Sequence, residues 1–148
     1  MYKPPFGETS LLSVDSVFHA YVRTDSNVVV QYISRNNCES WDLRGVVTNK
    51  WQIPAQPIFT KSKKLFLFSG KRDLPYQIIA RVSNDFGNTY SEHKKIIDVS
   101  SPNSGYPNAV ETSSGILLTY YVMPSTRNYK DDWLQSKVYT TFFHETNF

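Results

Sequence analysis

Apolar and polar positions alternate in short runs along this chain, and turn residues cut the runs at intervals of roughly 8–12 residues. Val17-Phe18-His19-Ala20-Tyr21-Val22-Arg23 and Leu65-Phe66-Leu67-Phe68-Ser69 show the length and the β-branched or aromatic content of strands. The pattern predicts a first group of strands near Thr9–Ser13, Val17–Arg23, Val28–Ser34 and Arg44–Thr48. A second group falls near Gln56–Thr60, Leu65–Ser69, Gln77–Ser83 and Ile96–Val99. A third falls near Asn108–Thr112, Ile116–Val122 and Lys137–Phe143. Asp25-Ser26-Asn27, Lys61-Ser62-Lys63-Lys64, Lys71-Arg72-Asp73-Leu74-Pro75 and Ser113-Ser114-Gly115 read as the turns between them. No segment shows a capped 3.6-residue period, and Asp131–Gln135 alone is read as a single helical turn. The fold class is therefore all-β: a sandwich, a barrel or a propeller.

The groups resemble one another, which raises the question of a repeat. Ser34-Arg35-Asn36-Asn37-Cys38-Glu39-Ser40-Trp41 aligns with Ser83-Asn84-Asp85-Phe86-Gly87-Asn88-Thr89-Tyr90. Both read Ser, then Asp or Asn two residues on, then Ser or Thr followed by an aromatic. The two copies start 49 residues apart. That is the length of one four-stranded propeller blade, roughly 40–50 residues.

Composition narrows the function classes. The 148 residues carry 16 Lys and Arg against 13 Asp and Glu, a net charge of +3, which is short of the concentrated positive field of a nucleic-acid binder. No stretch approaches the roughly 20 apolar residues of a membrane span. The single cysteine, Cys38, excludes an internal disulfide and any site built on several thiolates. Aromatics make up 15% of the chain, which argues against disorder. Phosphate-binding loops, dinucleotide fingerprints, His-Glu-x-x-His and Gly-x-Ser-x-Gly are all missing. His19 lies mid-strand, where packing is the expected role. No secretory apolar region and no Asn-x-Ser/Thr acceptor occurs. Neither fact fixes the compartment, which stays unknown, because Met1 need not be the true start.

The second copy resembles the Asp-box of sialidases (neuraminidases) and related β-propellers, with Ser83, Asp85, Gly87 and Thr89 in place and Tyr90 for the usual Trp. The first is a degenerate box in which Ser34, Ser40 and Trp41 fit while Asn36 and Cys38 replace Asp and Gly. Ser104-Gly105-Tyr106-Pro107-Asn108-Ala109-Val110-Glu111, followed by Gly115 to Tyr121, looks like another segment of the same family. The resemblance covers about residues 5–143. It implies a sialidase-like β-propeller fragment of about three four-stranded blades, approximately 5–50, 51–100 and 101–148, or half of a six-bladed ring. Such a half-ring exposes blade edges, so further blades or a second copy are expected to close it.

The boxes are expected to be structural, with Ser and Asp side chains closing a turn and Gly87 supplying a positive φ. Cys38 in the glycine slot predicts a different shape for the first turn. Propeller topology places the loops after each second strand, and those entering each first strand, on one face, where substrate binds in the resembled family. That face collects Glu8, Gln56 and Tyr106 at the innermost strands. It also holds Arg23 and Asp25, then Lys71, Arg72 and Asp73, then Tyr121 with the segment Pro124–Trp133. Asp15, Asp85, His93 and Arg81 fall toward the opposite end.

The resemblance implies an exo-sialidase type of glycoside hydrolysis on terminal sialic acid or a similar acidic sugar. Tyr106 is then the nucleophile, Glu8 its base or a ligand for sugar hydroxyls, and Asp25 or Asp73 the acid. Arg23 and Arg72 bind the substrate carboxylate, and Gln56 and Tyr121 line the site. No cofactor and no metal is expected, and the partner is a glycan. The family's Arg-Ile-Pro motif does not occur here. The alternatives are a non-catalytic propeller module that binds carbohydrate or protein, and a fragment that does not fold alone.

Overall fold

The computed structural model describes residues 6–124 and 135–148, so the expectations for Ser125–Trp133, including the helical turn begun at Asp131, lie outside the described residues. Eleven strands are described: β1 Phe6–Val14, β2 Val17–Thr24, β3 Val29–Ser34, β4 Asp42–Val46, β5 Gln52–Phe59, β6 Leu65–Lys71, β7 Gln77–Ser83, β8 Lys94–Asp98, β9 Gly105–Glu111, β10 Ile116–Val122 and β11 Lys137–Phe143. A single 3-10 turn, Glu145–Asn147, follows β11.

The strands form three antiparallel meanders in sequence order, β1-β2-β3-β4, β5-β6-β7-β8 and β9-β10-β11. The chain is thus a partial β-propeller of about three blades, the third showing three strands among the described residues. The first strands β1, β5 and β9 adjoin one another, so each blade starts at the inside and works outward.

Alternation explains how the blades stack. In β6, Leu65 and Leu67 point one way and join Tyr21, Val29, Ile53 and Ala55 in the core between the first and second blades. Phe66 and Phe68 point the other way and join Ile78, Ala80, Ile116, Leu118 and Tyr120 between the second and third. A middle blade covered on both faces has no polar side, so the first six residues of β6 are all buried.

The two repeated turns have one geometry. Ser83 Oγ accepts the Gly87 N–H at 2.8 Å, and Ser34 Oγ accepts the Cys38 N–H at 3.0 Å. Asp85 Oδ1 accepts the Thr89 N–H at 2.9 Å, and Asn36 Oδ1 accepts the Ser40 N–H at 3.1 Å. The hydroxyl at the seventh position changes role to match: Thr89 donates to Asp85 Oδ2 at 2.6 Å, whereas Ser40 accepts from Asn36 Nδ2 at 2.9 Å. The different shape expected at Cys38 is therefore not found. Cys38 adopts φ +69°, beside +83° at Gly87, because five side-chain-held hydrogen bonds fix the turn against the steric preference of a Cβ.

Candidate functional site

Each inner strand is irregular at the same end. The register slips between Phe6 and Thr9 in β1 and between Gln52 and Ala55 in β5. On β10 it slips between Thr119 and Tyr121, opposite the start of β9. Gly7, Pro54 and Pro107 sit within these slips and explain them, since proline gives no ladder donor and glycine bends freely. Bulges re-aim side chains, and here they turn Glu8 and Tyr106 toward each other.

The Tyr106 hydroxyl donates to Glu8 Oε1 at 2.5 Å. Arg23, near the end of β2, donates through Nη1 to both Glu8 oxygens at 3.0 and 3.1 Å. The Arg72 guanidinium carbon lies 5.7 Å from the Tyr106 ring centroid, and its Nε donates to the Ile53 carbonyl at 3.3 Å. The Tyr121 ring stacks on Tyr106 with centroids 5.7 Å apart. Gln56 accepts from Ser10 Oγ at 3.3 Å. A cavity of about 210 Å³ opens among Glu8, Ser10, Gln56, Tyr106 and Asn108.

Tyr106 holds φ +46° directly after Gly105 at +140°. A bulky residue in the left-handed region is strained by roughly 1–2 kcal/mol, and such strain persists only where the surroundings over-determine the conformation. Close approach helps to set it. A Cβ on Gly70 would lie 3.3 Å from the Ser104 carbonyl and 3.4 Å from that of Ile53, so glycine lets β6 pass beneath the start of β9.

The charges agree with the geometry. Burial pushes the Glu8 carboxyl up, but the Tyr106 hydroxyl, a backbone N–H and Arg23 outweigh it and hold the group below its ordinary value. Burial, then the hydrogen bond and negative charge of Glu8, push the Tyr106 phenol up, partly opposed by Arg72. At neutral pH the pair is a phenol held on a carboxylate. That arrangement can pass a proton from oxygen to oxygen as the phenol oxygen meets an electrophile.

No protein-family model matches the chain, and no curated protein matches it. Solved structures do. A thermostable family-43 glycoside hydrolase superposes with TM-score 0.73 at 14% identity, over 97% of this chain and 50% of its own. A protein of unknown function from Dyadobacter fermentans gives 0.66 at 23%, over 81% of this chain and 35% of its own. A polysaccharide lyase of family PL25, an ulvan lyase, gives 0.62 at 13%, over 80% and 32%. The likeness is one of fold. The chain spans about a third to a half of the length of these neighbours.

Of the residues singled out in the sequence, Glu8, Arg23, Arg72, Tyr106 and Tyr121 form one connected group, with Gln56 on the adjoining cavity wall. Asp25 is exposed in the turn after β2. Asp73 pairs with Lys71 Nζ at 3.1 Å. Among the described residues neither carboxylate contacts the Tyr106–Glu8 pair. Ser83, Asp85, Gly87, Thr89, Ser34 and Asn36 close turns at the other end. Tyr90 packs between the first two blades, its hydroxyl 2.8 Å from that of Tyr21, and Trp41 is half-buried at the end of its turn.

Sequence reasoning passed over Ser10, Asn108 and Trp51. Trp51 is 40% exposed on the connection into β5, and its carbonyl accepts the Arg72 N–H at 2.8 Å. An indole on a connection entering an inner strand was the available signal.

Proposed function

We propose that this chain supplies much of the substrate end of a carbohydrate-acting propeller and that its chemistry is sialidase-like glycoside hydrolysis. The observation that carries this reading is the 2.5 Å hydrogen bond from Tyr106 to Glu8, made by two bulged inner strands. In the proposed reaction the Tyr106 oxygen bonds to the anomeric carbon while Glu8 takes the phenol proton. The glycosidic C–O bond breaks, and an acid, Asp73 or Asp25, protonates the departing oxygen. Water then cleaves the tyrosyl–sugar bond. A phenol suits an anomeric carbon that bears a carboxylate, since a second carboxylate would be repelled there. Arg72 and Arg23 provide the positive field for that group.

Two further points support the reading. The paired turns that carry the Asp-box resemblance share one hydrogen-bonding pattern. The neighbours named as a glycoside hydrolase and a polysaccharide lyase use the same fold on sugars.

A second reading, a glycan-binding module without turnover, is favoured by one observation. Arg23 is engaged by Glu8, and neither candidate acid reaches the pair. Release of 4-methylumbelliferone from its sialoside separates the two. The hydrolase reading expects turnover that falls by about a hundredfold or more in Tyr106→Phe and Arg72→Ala. Absence of turnover with retained sialoside binding selects the module.

A further inference from the structure

A second polar feature lies along the seam between the first and second blades and shares no residue with the cavity around Tyr106. Two cavities, of about 140 and 370 Å³, meet there and have Gln31, Arg44 and Asn88 in common. Arg44 of β4 reaches across the seam and donates through Nη2 to Asn88 Oδ1 at 2.6 Å, which holds its guanidinium between the two cavities.

The larger cavity is also walled by Arg81 of β7, which is only 7% exposed. Its donors go to neutral acceptors alone: Nε and Nη2 to Gln52 Oε1 at 3.3 and 3.1 Å, and Nη1 to the Ser91 carbonyl at 2.8 Å. A buried guanidinium without a bonded carboxylate is costly unless a counter-charge arrives from outside.

Among the described residues no carboxylate bonds to Arg81: Asp85 is tied into its own turn by Thr89 and Ser83, Asp42 sits 4.0 Å from Arg35 on the exposed side, and Asp15 lines only the smaller cavity. Glu92 offsets part of the Arg81 charge through space without a hydrogen bond to it. Burial first, and then the charges of Arg35 and Arg44, hold the pKa of His19 in the smaller cavity below its ordinary value.

We infer that this seam is a second ligand site, one that takes a small oxyanion of the sulfate type, free or carried as an ester on a polysaccharide, between Arg44 and Arg81. The two guanidiniums supply charge and directed donors to such a group. The chemistry does not depend on Tyr106, so this site stands or falls separately from the hydrolase reading.

The test is a titration of the full chain with sodium sulfate, followed by amide NMR, with sodium chloride lowered to hold ionic strength constant. The expected result is saturable movement of the Arg44, Asn88 and Thr89 signals. Arg44→Ala removes an exposed side chain and should weaken binding by at least about tenfold with the fold intact. Arg81→Lys, checked for a native spectrum, should weaken it as well.

A sulfated galactan tetrasaccharide distinguishes the sources. Tighter binding than sulfate assigns a polymer-borne group, and equal or weaker binding assigns the free ion. Movement that does not saturate, or an affinity unchanged in Arg44→Ala, overturns the proposal.

Discussion

The Tyr106 hydroxyl and the Glu8 carboxylate meet at 2.5 Å across 98 residues of sequence. Neither position is set by its own strand alone. Glu8 is aimed by the irregular start of β1 and braced by Arg23, and Tyr106 is aimed by a left-handed residue at the start of β9. Two innermost strands of different blades thus build one hydrogen-bonded phenol–carboxylate pair.

That pair makes a prediction about titration. In Tyr106→Phe the hydrogen bond to Glu8 is lost and burial is less opposed, so the Glu8 pKa should rise. Because the native pKa is lowered, Glu8 contributes stability that is full above its ordinary 4.5 and fades as pH falls below it. The variant should therefore lose part of that acid-side stability. Carboxyl ¹³C NMR of both proteins checks this, and an unchanged or lower Glu8 pKa in the variant counts against the bond.

The turn at Asp85 predicts a contrast between two substitutions. Asn36 makes the equivalent bonds with an amide, so Asp85→Asn should fold with little loss at pH 7. Asp85→Ala leaves the Thr89 N–H without its acceptor and should cost about 1–2 kcal/mol. Thr89, first through its hydroxyl and then its backbone N–H, and then Ser83, hold the Asp85 carboxyl down at about 2. Its stabilisation is full above an unfolded value near 3.8 and disappears as pH falls toward 2. Denaturant melts of Asp85→Asn should lack that acid-side loss.

The shared left-handed corner predicts opposite effects at its two copies. Cys38→Gly relieves a Cβ at φ +69° and should stabilise by about 1 kcal/mol. Gly87→Ala places a Cβ at φ +83°, 2.9 Å from Gln31 Nε2 and 3.0 Å from Tyr90 Oη, and should destabilise by about 1–2 kcal/mol. Thermal melts of the two variants give the comparison directly.

The core between the second and third blades predicts a larger effect. Phe68 is fully buried against Phe66 and Phe143. Phe68→Ala should cost about 3–5 kcal/mol, and Phe68→Leu distinctly less. Urea unfolding checks the order.

Much of the fold was legible because β6 writes it plainly: Leu65-Phe66-Leu67-Phe68 has one residue type for each neighbouring blade. The inner strands were read less well. Alternation placed β1, β5 and β9 at Thr9, Gln56 and Asn108, but they begin three or four residues earlier, at Phe6, Gln52 and Gly105. The missed residues are the bulged ones, where Gly7, Pro54 and Pro107 break the period-two signal. The site lies in that stretch. Glu8, Arg23, Arg72 and Tyr106 could be placed on one face from strand order, but their partners could not. A sequence does not say that Arg23 will brace Glu8, or that the buried Arg81 will bond only to neutral acceptors. Cys38 shows the converse error, since residue preference at one position yielded to the hydrogen bonds of its turn.

The most direct measurement of the central proposal is covalent trapping of the full chain with a 3-fluorosialosyl fluoride, read by peptide mass spectrometry. The account predicts one sugar adduct on Tyr106, absent in Tyr106→Phe and slower to form in Glu8→Gln. An adduct on another residue, or none on a chain that binds the reagent, would contradict the assignment of Tyr106 as nucleophile.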